Sequence, residues 1–129
     1  IEKMDFMKNL LFLSFVITFY FPPSIVYSQS AFISILNDVP LMSGLKIQKQ
    51  TALIFDTPSG RIVEVAAVGN IPLLKVREFY ADTLPQLGWR DVGKNIFSRD
   101  KEILSINLSI IVNRNTQIKF SITPEPIKP

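Results

Sequence analysis

The hydrophobic pattern opens with an almost unbroken apolar run, residues 10–21, interrupted only by Ser14 and Thr18. Lys8 and Asn9 stand before it, and Pro22-Pro23 ends it, since proline cannot continue a helix. A bilayer-spanning helix needs about 20 apolar residues, whereas a shorter run behind a positive flank matches the hydrophobic region of a secretory signal. Val26-Tyr27-Ser28 carries the kind of residues that precede a cleavage site, which predicts cleavage before Gln29. Residues 1–28 are therefore expected to be a signal peptide, with residues 1–6 an over-extended start and Met7 the natural first residue. Two alternatives stay open: an uncleaved anchor running through to Tyr27, and a buried core helix.

The remaining pattern changes period several times. Residues 29–50 show no steady repeat and are expected to form an extended lead-in, with turns at Asp38-Val39-Pro40 and Met42-Ser43-Gly44. Residues 51–56 read as a strand, Thr57-Pro58-Ser59-Gly60 as a turn, and residues 61–68 as the returning strand of a hairpin. Leu73, Val76, Tyr80, Leu84 and Leu87 then recur every three or four residues, which predicts an amphipathic helix. Asn70 is the candidate cap, Pro72 falls in the first turn, and Gly88 is the stop signal. Residues 89–97 are expected to form one strand bent at Gly93. Two strict alternations follow, Leu104 to Ile110 and Ile118 to Ile122, separated by a turn at Asn113-Arg114-Asn115. Residues 124–129 form a proline-rich tail.

The expected fold is α+β: a single antiparallel sheet built from a hairpin, a helix and a three-strand meander, with the one amphipathic helix packed on one face. Residues 51–123 would form that domain. About 100 residues behind a signal suffice for one modest core and leave no room for a second domain.

Composition narrows the chemistry. The chain has no cysteine and no histidine, so it offers no disulfide, no thiolate nucleophile, and neither the commonest general base nor the commonest metal ligand. Its net charge is +3, but Arg61, Arg77, Arg90, Arg99 and Arg114 stand apart, a scatter that points away from nucleic acid.

Asp38-Val39-Pro40-Leu41-Met42, Gly60-Arg61-Ile62-Val63-Glu64 and the stretch from Phe79-Tyr80 through Leu84-Pro85-Gln86-Leu87-Gly88-Trp89 resemble a family of small, signal-bearing exported proteins of alphaproteobacteria. The resemblance spans about residues 38–124. It implies an exported address and a small α+β shape, and brings neither an activity nor functional residues to carry over.

Several constellations invite a chemical reading. Glu78 and Asp82, four apart on one helix face, would suit a metal clamp or an acid/base pair, although Lys75 beside them fits a solvated face. Ser43-Gly44-Leu45-Lys46 and Ser98-Arg99-Asp100-Lys101 match the Ser-x-x-Lys of penicillin-binding enzymes without its partner motifs or a helix start. Phe79, Tyr80 and Trp89 would make either an aromatic platform or a core plug. Arg61 and Glu64 lie on opposite faces of their strand, so they are not direct partners. Asn107-Leu108-Ser109 fits a glycosylation acceptor but lies mid-strand.

No residue is assigned a catalytic, cofactor-binding or metal-ligating role, and no cofactor is expected. The reading favours a periplasmic or secreted, non-enzymatic module that binds an envelope protein or component, with membrane contact only through a retained signal segment. The alternatives are a small carboxylate-dependent enzyme using Glu64, Glu78 or Asp82, and an inhibitor-type protein.

Overall fold

The computed structural model of the chain describes residue 36 and residues 39–128; the expected signal segment lies outside them. Six strands and one α-helix follow in the order β1 (Lys46–Thr57), β2 (Gly60–Gly69), α1 (Leu73–Gln86), β3 (Arg90–Gly93), β4 (Ile96–Arg99), β5 (Glu102–Ile110) and β6 (Thr116–Pro124). All six strands belong to one sheet ordered β1-β2-β6-β5-β4-β3, every neighbouring pair antiparallel. The fold of the described residues is thus α+β, one antiparallel sheet with one helix.

The two alternations behave as their period demands, except that Ile110 at the end of β5 is exposed. Leu104, Ile106, Ile118, Phe120 and Ile122 turn to one face and are buried, and Val63, Val65 and Ala67 of β2 continue that face. Val76, Tyr80 and Leu84 of α1 cover it, while Lys75, Glu78 and Asp82 face outward. Helix α1 stops at Gly88, whose φ of +89° suits glycine. There the Gly88 N–H donates to Pro85 O and the Trp89 N–H to Leu84 O, which satisfies the last carbonyls. Arg99 donates from Nη1 to Leu87 O at 2.9 Å and lays its guanidinium 4.4 Å over the Trp89 ring.

Four expectations need correction. The single bent strand over residues 89–97 is two strands, β3 and β4. Gly93, Lys94 and Asn95 all have positive φ (96°, 53° and 59°), and this reverses the chain instead of bending it. The meander therefore has four strands. Asn70 does not cap α1; Pro72 is the N-cap, without a side-chain hydrogen bond, and its carbonyl accepts from the N–H groups of Lys75 and Val76. The ladder also runs past Thr123, because Pro124 pairs with Glu102 and the Glu125 N–H donates to Lys101 O at 2.7 Å. Finally, the returning strand does not end at residue 68 but includes Gly69, where a Cβ would come up against Gly44 O.

The stretch expected as a lead-in contributes to the core. Leu36, Val39 and Leu45 are buried, and β1 begins at Lys46. Tyr80 anchors this segment: its hydroxyl donates to Pro40 O at 2.9 Å and accepts from the Met42 N–H at 3.2 Å. Among the described residues, no helix is long and apolar enough to cross a membrane.

Candidate functional site

A sheet has two free edges, and their unpaired N–H and C=O groups must be guarded if the strand is not to pair further. The β3 edge is four residues long, carries Arg90 and Asp91, and ends in the tight turn at Gly93. Shortness and charge protect it.

The β1 edge divides into two halves. Gln48 pairs with Ala66 and Leu53 with Glu64, so residues 49–52 bulge out opposite the single residue Val65. Thr51 closes the bulge: its hydroxyl accepts from the Ala66 N–H at 2.8 Å and donates to Gln48 O at 2.6 Å. This half, with its bulge and with Lys46 and Lys49, carries the usual guards.

Beyond the bulge, residues 53–57 run in regular register against β2, and among the described residues nothing pairs on the other side. Leu53, Ile54 and Phe55 are 41%, 57% and 54% exposed. Leu53 and Phe55 sit opposite Glu64 and Ile62 on the face away from α1, and Ile54 sits opposite Val63 on the helix side. The segment holds no lysine, arginine or proline, and its one charge is Asp56. It is a regular, apolar, unguarded strand edge. A salt bridge stiffens the support behind it: Arg61 Nε and Nη2 reach Glu102 Oε1 and Oε2 at 2.8 and 3.2 Å, linking β2 to β5 past the end of β6.

The residues singled out from sequence fall elsewhere. Glu64 lies on the outer face of the sheet, whereas Glu78 and Asp82 are exposed on α1 against the opposite face. The fold does not bring these carboxylates together. Among the described residues there is no group of three Asp, Glu, His or Cys placed to hold a metal. Neither Ser-x-x-Lys sequence opens a helix: Ser43 is in a turn before β1, and Ser98 is buried in β4.

Tyr80 and Trp89 are 2% and 1% exposed, so they plug the core and offer no platform. Phe79, half-buried, packs edge-on against Tyr80 with ring centres 4.9 Å apart. Arg61 is paired with Glu102, not with Glu64.

Sequence reasoning placed residues 51–56 in a strand but did not separate Leu53, Ile54 and Phe55 as surface residues. The available signal was three consecutive apolar residues where a half-buried strand would alternate. Compared with models of protein families, with curated proteins and with solved structures, the chain matches none.

Proposed function

We propose that this chain is an exported periplasmic protein acting as a non-enzymatic binding module of the cell envelope. A partner strand docks along residues 53–57. The carrying observation is the contrast within β1: one half is guarded by a bulge and lysines, while the other exposes Leu53, Ile54 and Phe55 beside backbone groups that no described strand pairs with. Strand addition draws affinity from main-chain hydrogen bonds and specificity from alternate side chains, so it requires no catalytic residue types. Export is supported by the signal-like residues 1–28 and by the resemblance noted above.

The test is site-specific photocrosslinking in the native envelope, with a crosslinker at position 54 and a control at position 78, read together with the intact mass of the bait. The expected result is a bait beginning at Gln29, captured by one partner from position 54 only, with that capture lost when Phe55→Lys is added. Equal capture from both positions, or none from position 54, would overturn the docking edge. A bait that keeps residues 10–21 would overturn cleavage and make the protein membrane-tethered.

A further inference from the structure

The face of the sheet turned away from α1 carries an open depression. A groove of about 450 Å³ opens there between Thr51 on β1, Glu64 on β2, Lys119 and Ser121 on β6, and Ser105 and Asn107 on β5. Its placement follows from the register. Glu64, Ser121 and Ser105 lie in one row across three strands, and Ala66, Lys119 and Asn107 lie in the next. Glu64 and Lys119 are therefore diagonal neighbours, with Cβ atoms about 7 Å apart.

The Thr51 hydroxyl is already committed to Ala66 and Gln48. The side chains of Glu64, Ser105, Asn107, Lys119 and Ser121 make no hydrogen bond or ion pair among the described residues. Ser121, half-buried, neighbours both charges, beside Glu64 across the strands and two residues from Lys119 along β6, and Ser105 faces it from β5.

The donor set discriminates between ligand classes. A metal ion would find a single carboxylate beside a lysine. A bare anion would meet Lys119 but be repelled by Glu64. An apolar ligand would have to strip water from five polar side chains. A sugar would want an aromatic platform, and the one aromatic on this face among the described residues, Phe55, belongs to β1 beyond Glu64.

What fits is a small molecule carrying both charges. We propose that this groove binds a small zwitterion of amino-acid to tripeptide size. Its ammonium sits on the Glu64 carboxylate, its carboxylate on the Lys119 ammonium, and its polar middle on Ser105, Ser121 and Asn107. Charge-assisted hydrogen bonds at each end supply orientation as well as affinity. The groove adjoins the docking edge, since Leu53 sits opposite Glu64, but the proposal does not rest on that reading.

Amide-resolved titration of the labelled full chain with glycine, Ala-Ala and Ala-Ala-Ala tests the proposal, since the three probes set increasing charge separations. At least one should bind with a Kd of about 1 mM or tighter. Shifts should be confined to the amides of residues 51, 64–66, 105–107 and 119–121. Glu64→Gln and Lys119→Gln, both at exposed positions, should each weaken binding about tenfold, whereas Glu78→Gln on the opposite side should not change it. The fold of each variant is checked in the same spectra. The proposal is overturned if no probe shifts these amides up to about 20 mM. Equal binding of the same peptide with both ends blocked would also overturn it, as would charge variants that bind like the wild type.

Discussion

Replacing Tyr80 by phenylalanine removes one oxygen from the centre of the molecule and little else. The ring sits edge-on to Phe79 and Phe120, with centroids 4.9 and 5.3 Å away, and phenylalanine keeps both contacts. What is lost is the link between α1 and the segment leading into β1. Pro40 O loses its donor and the Met42 N–H its acceptor, at a site where Tyr80 and Pro40 are buried. Each such bond contributes about 1 kcal/mol net, and a buried group left unpaired costs about 1–3 kcal/mol. A loss of about 2–3 kcal/mol near neutral pH is expected.

The pH dependence gives a second, independent signature. Burial pushes the Tyr80 hydroxyl from 10.0 up to about 12, partly offset by the Met42 N–H, which favours the phenolate. The unfolded chain gives up this proton near pH 10 and the folded chain only near 12. Between those values the unfolded state binds fewer protons, so stability falls as pH rises. The stabilisation is fully present below pH 10 and is lost through the window to about 12, a loss of about 2–3 kcal/mol. In Tyr80→Phe this decline is absent, so the gap between variant and wild type should shrink toward zero at the alkaline end. Tyr20, Tyr27 and the lysines are common to both proteins and cancel in the difference. Urea unfolding followed by the fluorescence of Trp89, the one tryptophan, from pH 8 to pH 12 reads both effects. A variant within about 0.5 kcal/mol of wild type at pH 8 would refute the hydrogen-bond argument. A gap that stays constant with pH would refute the titration argument.

Three further outcomes are expected. Trp89→Ala should cost about 3–5 kcal/mol in denaturant melts, because it empties a fully buried site and leaves Arg99 without its ring; a loss below about 1 kcal/mol would contradict the packing. Gly69→Ala should destabilise by more than about 2 kcal/mol, since the new methyl would collide with Gly44 O, which is backbone and cannot swing away. Lys101→Gly should stabilise by about 1 kcal/mol, a rise in melting temperature of about 4–8 °C. Asp100 and Lys101 both hold positive φ in the turn between β4 and β5, and Asp-Gly suits that geometry better; an unchanged or lower melting temperature would count against it.

Legibility followed the range of each signal. The stripe of Val76, Tyr80 and Leu84 and the stop at Gly88 were readable because helix periodicity and termination depend on residues within a turn or two. The alternations of Leu104 to Ile110 and Ile118 to Ile122 were readable for the same reason. The turn between β3 and β4 reads from sequence only as a bend at Gly93, because the two residues that complete the reversal, Lys94 and Asn95, adopt left-handed backbone without being glycine. The core role of Leu36, Val39 and Leu45 was missed because a segment that fills the end of a core needs apolar residues but no period.

By itself, then, the sequence determined the elements: one helix with a defined buried face, two strands with defined inner sides, and a chain free of cysteine and histidine. Only the tertiary structure decided that β6 inserts between β2 and β5 and that β1 is left at the edge. That order decides exposure. Leu53, Ile54 and Phe55 would be core residues if another strand lay beyond them, and they are exposed because among the described residues none does. The same order sets Glu64 diagonal to Lys119 and brings Arg61 to Glu102 across β6. Side-chain period is a local property of the backbone, but which strand lies beside which is fixed by contacts between residues far apart in the chain, and no local pattern encodes it.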